Sequence, residues 1–279
     1  MLIPDNVRKC VAFLGYQLAS GDYKLAGSAF YLGRDSAPGK ADPVYVVTAR
    51  HVIDGIRSKG VTDTYLRFNH ISGDAAWQQI PMNSWFYHPN DSSVDIAIAR
   101  TTVPGEFDHL VFPYSLCITD ELMKLNEIGL GDEVFITGLF RHHHGNRRNI
   151  PIVRTGNLAA LSEEKISTQR FGEIDACLIE ARSIGGLSGS PVFLNLGSIR
   201  MLKGELKTAP SQPIVLLFGL VHGHYDIEAT AIDQTKSDMA APLTTNLVNT
   251  GIAIVVPFHK LDEVVLAFEK QQAVNGSAP

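Results

Sequence analysis

Disulfide frameworks, membrane-length apolar runs and blocks of one charge sign are all missing from this chain, and each absence narrows what the chain can be. Of its 279 residues only Cys10, Cys117 and Cys177 are cysteines. An odd, widely spaced set of this kind reads as buried free thiols rather than as a disulfide scaffold. A cytoplasmic location is therefore the expectation, with secretion as the alternative. No apolar run approaches the ~20 residues of a membrane-spanning helix, so no membrane association is expected. The apolar stretch Cys10-Val11-Ala12-Phe13-Leu14 follows Arg8-Lys9, but it is broken by Gly15, Tyr16 and Gln17 and preceded by Asp5. It suits a first β-strand better than a secretory leader. The 24 basic and 29 acidic residues leave a net charge of −5 with no long run of either sign. That balance gives no support to nucleic-acid binding.

A hydrophobic content of 45% supplies a sizeable core, for one large domain or two closely packed β units. Short apolar runs punctuated by Gly, Pro, Asn and Asp dominate, which favours strands. The pattern predicts strands at 11–18, 28–32, 44–48, 64–68, 96–100, 133–138, 152–161, 176–179, 191–194, 214–221 and 251–256. Repeated short strands at this spacing suggest a barrel or sandwich. One helix is legible, because Leu261, Val264, Val265 and Phe268 fall on one face at helical spacing. Three connections, 140–149, 195–213 and 225–250, are longer than a compact fold requires.

Three segments carry the chemistry: Thr48-Ala49-Arg50-His51-Val52, Val94-Asp95-Ile96-Ala97-Ile98 and Gly185-Gly186-Leu187-Ser188-Gly189-Ser190-Pro191. They present a histidine, an aspartate and a serine in that order, each set in apolar, strand-like or glycine-rich sequence. A serine hydroxyl is a poor nucleophile at neutral pH and needs an imidazole to take its proton, a role for His51. The imidazolium so formed needs a buried carboxylate on its other nitrogen, a role for Asp95. The glycines around Ser188 let the chain turn tightly enough to aim the Gly186 and Ser188 N–H groups at a developing oxyanion. Separations of 44 residues from His51 to Asp95 and 93 from Asp95 to Ser188 put the first two on one substructure and the serine on another, with the site in the cleft between.

The stretches T-A-R-H-V at 48–52, D-I-A-I at 95–98 and G-L-S-G-S-P-V-F at 186–193, with Gly219-Leu220-Val221-His222-Gly223, resemble those of trypsin-like serine proteases, the single-chain bacterial type in particular. The resemblance implies an all-β fold of two packed antiparallel β-barrels with a C-terminal helix. The first barrel, 1–105, would carry His51 and Asp95; a connecting stretch, 106–128, would lead to a second barrel, 129–257, carrying Ser188. A helix at 258–273 and a frayed tail at 274–279 would follow. The implied activity is that of a serine endopeptidase acting on a protein or peptide through an acyl-enzyme at Ser188, with no metal or organic cofactor. The alternative is a latent or non-catalytic peptide-binding module on the same fold. An esterase-like hydrolase would share the nucleophile and differ in substrate.

The substrate pocket is expected to involve Arg182, Ser183, Val221, His222 and Gly223. Strand alternation would send at most one of Val221 and His222 into it. Two departures from the family stand out. Leu187 occupies the position where secreted digestive members carry an acidic residue that pairs with a freed N-terminus, so activation by that route is not expected. Ser190 replaces a glycine, as in other bacterial members. No segment is long enough for a peptide-binding PDZ domain, so any activator should be a separate protein. The adjacent His142, His143 and His144 cannot all point at one ion on regular structure and read as a solvated loop. The serine turn also approaches a G-x-S-x-G elbow, but no histidine framework of alternating strands and helices follows it.

Overall fold

Runs rich in Val, Ile, Tyr and Phe become strands because those side chains suit a pleated, half-buried surface. The computed structural model describes residues 3–34, 43–182, 185–208, 215–231 and 244–276. Its first half contains β1 (Val11–Gln17), β2 (Tyr23–Gly33), β3 (Val44–Thr48), β4 (Asp63–Asn69), β5 (Ala75–Pro81), β6 (Phe86–Tyr87), β7 (Ala97–Thr101) and β8 (Phe112–Pro113). They form one sheet in the order β5-β4-β1-β2-β3-β7-β6, with β8 parallel to β2.

The second half contains β9 (Glu133–Gly138), β10 (Ile152–Ala160), β11 (Ile166–Thr168), β12 (Gly172–Ile174), β13 (Cys177–Glu180), β14 (Pro191–Asn195), β15 (Ile199–Leu202), β16 (Glu205–Thr208), β17 (Val215–Ala231) and β18 (Thr244–Pro257). Six of these close into a barrel, β10-β13-β18-β17-β14-β9, while β11–β12 and β15–β16 are separate two-stranded ribbons. The all-β double-barrel architecture with a C-terminal helix is thus present, the first barrel built as a curled half-barrel rather than a hydrogen-bonded cylinder.

One apolar core runs through both halves. Phe112 of the first meets Phe193 of the second with ring centroids 5.0 Å apart. All three cysteines are free and buried. Burial pushes the Cys177 thiol up to about 11 and those of Cys10 and Cys117 higher still, so none is a reactive thiolate.

Two helices lie where no regular element was expected. α1 (Arg50–Arg57) buries Val52, Ile53 and Ile56 on one face. α2 (Asp120–Leu125) is capped by the Thr119 side chain, which accepts the Leu122 N–H, and carries Asp120 and Glu121 in its first turn. Both are too short to show a periodic signal. α3 (Phe258–Gly276) runs three residues past the expected end at 273. Leu261, Val264 and Val265 are fully buried, and Phe268 sets its ring edge against Tyr45 and Phe86 of the first half. The helix therefore straps the two halves together rather than covering the second barrel alone. Among the described residues no helix is long and apolar enough to cross a membrane.

The three long connections have different fates. The 140–149 segment is tied to the first sheet by Arg67, whose guanidinium donates to the carbonyls of Gly145 and Asn146 and to Asn149 Oδ1. Of the 195–213 segment, 199–208 form the β15–β16 ribbon, and 209–213 lie outside the described residues. The 225–250 segment continues β17 and β18 as a paired hairpin as far as Ala231 and Thr244; its tip, and the substrate flap expected there, lie outside the described residues.

Where the halves meet, space is short. A methyl group built on Gly138 would overlap the Ser190 hydroxyl and crowd that of Ser28. Gly138→Ala should lower stability by about 3 kcal/mol in urea unfolding, whereas Gly105→Ala, with nothing within 4 Å of the added carbon, should stay within about 0.5 kcal/mol of wild type.

Candidate active site

β3 ends at Thr48 and pairs antiparallel with β7 so that Thr48 faces Ala97. Carrying that register two residues further sets Asp95 opposite Arg50, the first residue of α1. His51, the second residue of α1, is thereby brought to Asp95; it is helical, not strand-like as its apolar surroundings suggested. Its backbone N–H donates to Asp95 Oδ1 at 2.8 Å, and its Nδ1 lies 2.7 Å from Asp95 Oδ2. A carboxylate only accepts, so Nδ1 carries the hydrogen and Nε2 is left as the basic nitrogen of the neutral ring. The turn leading to Asp95 is held by Arg50, which donates to the Ser92 carbonyl at 3.1 Å.

Asp95 is fully buried. Burial by itself raises its pKa. Its coulombic interaction with His51 and the hydrogen bonds from His222 and His51 outweigh that and hold the carboxyl down, at about 2. It stays ionised at every pH near neutrality.

His222 is the residue whose role sequence reasoning missed. Its Nδ1 lies 2.5 Å from the same Asp95 Oδ2, and its ring meets that of His51 edge-on at 5.5 Å. It sits at a register shift between Val221 and Gly223 in the β17–β18 ladder, an irregularity that re-aims a side chain. Val221 buries its side chain in the core and His222 turns to the carboxylate. The available signal was a histidine in the strand facing the serine turn, without any mark of its bulge.

Among the described residues His51, Asp95 and His222 form a group that could in principle ligate a metal. Their contacts of 2.7 and 2.5 Å are hydrogen-bond lengths. Ligands bound at about 2.0–2.1 Å in tetrahedral geometry would stand about 3.3 Å apart, so the arrangement fits shared protons and not an ion between them.

Ser188 lies in the turn between β13 and β14. Its carbonyl accepts the Ser28 N–H at 3.0 Å, and the Ser28 hydroxyl donates to the Gly186 carbonyl at 2.9 Å while accepting the Leu139 N–H at 2.8 Å. Gly186 and Gly189 have φ of +110° and +81°, values that L side chains rarely adopt. A methyl on Gly189 would also overlap the Ser28 carbonyl and the Thr48 hydroxyl. On the barrel side, Gly189 donates to the Val221 carbonyl at 2.8 Å and Val221 donates to that of Ser190 at 2.9 Å. Leu187 is wholly buried, which gives the turn an apolar anchor.

Ser188 and His51 both line one recess, with Gly186 in its wall. The Ser188 hydroxyl donates to the His222 carbonyl at 3.3 Å, and among the described contacts it makes none with His51. The Gly186 and Ser188 amides donate to no described residue. Of the other residues expected near the substrate, Arg182 is exposed, Gly223 is half-buried and Ser183 lies outside the described residues. His142 and His143 are exposed.

No family model matches the sequence, and no curated protein matches it either. The chain is similar in structure to Deg5, with 15% identity over 78% of this chain and 80% of that one and a TM-score of 0.45. It is also similar to the inactive form of a serine-to-alanine mutant of Rv3671c from M. tuberculosis, with 14% identity over 98% of this chain and 89% of that one and a TM-score of 0.44.

Two outcomes follow for the carboxylate. His222→Leu removes one donor from a buried anion and should cost about 1–3 kcal/mol in urea unfolding. His222→Asn, whose amide N–H can occupy the Nδ1 position, should recover most of the loss. Because the Asp95 pKa is lowered on folding, its contribution to stability is complete above the unfolded carboxylate value near 4 and is lost as pH falls through about 2. Asp95→Asn should flatten the stability profile in that window, as followed by acid titration of the circular dichroism signal.

Proposed function

We propose that the chain is a serine endopeptidase that works through an acyl-enzyme at Ser188. The observation that carries this reading is the His51–Asp95 pair, with Nδ1 at 2.7 Å and the backbone N–H at 2.8 Å on the two carboxylate oxygens, and a serine in a glycine turn that lines the same recess as His51. In the proposed cycle the Ser188 hydroxyl leaves the His222 carbonyl for His51 Nε2 as substrate fills the site; catalytic hydrogen bonds in empty sites are commonly loose and tighten on binding.

His51 takes the hydroxyl proton while Oγ attacks the carbonyl carbon of the scissile bond, and Asp95 stabilises the resulting imidazolium. The Gly186 and Ser188 amides donate to the oxyanion. Collapse of the tetrahedral intermediate expels the amine, which takes the proton back from His51 and leaves the acyl group on Ser188. Water then enters by the same route, giving its proton to His51, and releases the acid as Oγ is reprotonated. His222 supports the cycle by holding Asp95 through its side chain.

A serine-directed fluorophosphonate should label the wild-type chain at Ser188, with the adduct located by mass spectrometry. His51→Ala should slow labelling by at least about 10³-fold and Ser188→Ala should abolish it. Labelling that persists unchanged in Ser188→Ala would remove the nucleophile assignment.

A further inference from the structure

The recess beside Ser188 has an electrostatic character that the triad does not need. Of about 420 Å³, it is bordered by Lys24, Lys59, Arg141 and Arg170 together with His51 and Ser188, and no aspartate or glutamate lines it. The four cations come from four different places: Lys24 from β2, Lys59 from just beyond α1, Arg141 from just beyond β9, and Arg170 from the turn between β11 and β12. Both halves of the molecule therefore contribute to one positive wall.

Among the described residues none of these four makes an ion pair, whereas Arg34, Arg50, Arg57, Arg147 and Arg200 are each neutralised by a carboxylate. Both guanidiniums are steadied without losing their charge: Arg141 donates to the Ala26 carbonyl at 2.8 Å and Arg170 to the His51 carbonyl at 3.3 Å. A guanidinium has five N–H donors, so each keeps donors for a carboxylate arriving in the recess. The whole chain carries a net charge of −5, so the positive field is a property of this cleft and not of the surface at large. A concave site of one sign concentrates ligands of the other and speeds their arrival.

We infer that this recess is a subsite for an acidic stretch of the substrate, next to the scissile bond. The inference rests on the protease reading for its role, but its binding chemistry stands separately. The recess includes none of Val221, His222 and Gly223, so the acidic residues are held on the side of Ser188 away from β17 and outside the pocket that the sequence pointed to. Selection comes from several exposed cations acting together, and it weakens as salt screens them over about 8 Å at physiological ionic strength.

The test separates binding from cleavage. Full-length Ser188→Ala protein is titrated against tetramethylrhodamine-labelled, end-capped octapeptides rich in Asp and Glu, in Gln, or in Lys, with fluorescence anisotropy as readout. The acidic peptide should bind at least about tenfold tighter than the Gln peptide, and the difference should shrink between 50 and 300 mM salt. Lys24→Glu combined with Lys59→Glu should abolish the difference, and the milder Lys24→Gln with Lys59→Gln should reduce it. Lys124→Glu with Lys270→Glu, exposed on α2 and α3, outside the recess lining and equal in charge change, should leave it intact.

Thermal unfolding confirms that each variant is folded before its binding is read. In parallel, wild type digests a diverse peptide library, and acidic residues should be enriched on one flank of the cut. Equal binding of the acidic and Gln peptides, or a loss of the difference in the distant pair as large as in the recess pair, would overturn the subsite. Acidic-peptide binding without fluorophosphonate labelling of Ser188 would keep the subsite and remove the protease. Labelling without acidic preference would do the reverse.

Discussion

A fully buried carboxylate with three N–H donors is the constraint around which this molecule is arranged. An ionised Asp95 without partners would cost several kcal/mol to bury. Its cost is met by the His51 amide on one oxygen and the rings of His51 and His222 on the other. The first two donors belong to α1 in the curled half-barrel; the third belongs to β17 in the closed barrel. The charge can be buried only when the two halves are docked, so docking and alignment of the site are one event.

The serine turn is gripped from the same two directions. Ser28 in β2 uses its amide, its hydroxyl and its carbonyl to hold Ser188, Gly186 and Thr48. Val221 in β17 holds Gly189 and Ser190 through its backbone. Gly189 is the point at which the two grips touch, and any side chain there would push the first half away. α3 completes the arrangement, with Phe268 against Tyr45 and Phe86 and its apolar face in the common core. The position of Ser188 relative to His51 is thus set by packing between halves, far more than by the conformational preference of its own loop.

Sequence showed what was local and periodic. The strand runs and the apolar face of Leu261, Val264 and Val265 were legible, because residue spacing or β-branched runs encode them directly; the pairing of His51 with Asp95 was read from the order and chemistry of their motifs. α1 was not, since eight residues give only two turns and its buried Val52 and Ile53 read equally well as strand. Ser28 looked like an unremarkable strand residue because its importance comes from three partners far away in the chain. His222 was visible as a histidine near the site, yet its direction depended on a bulge against β18 that no periodicity announces. The 140–149 connection looked longer than a compact fold requires because the buried Arg67 that fastens it lies in another strand.

The sharing of one oxygen by two imidazoles also bears on how the carboxylate behaves during a proton transfer. Two N–H donors at 2.7 and 2.5 Å occupy the lone pairs of Oδ2, and the His51 amide takes Oδ1. Each donor stabilises the anion over the acid, so the proton affinity of Asp95 is spread across three bonds. When His51 gains a proton at Nε2, the pull on its Nδ1 hydrogen comes from an oxygen already committed to His222. In the proposed cycle the hydrogen stays on the ring, and Asp95 acts as a fixed negative charge beside an imidazolium. His222 therefore does two things at once: it fastens the closed barrel to the buried charge, and it keeps that charge from becoming an acid.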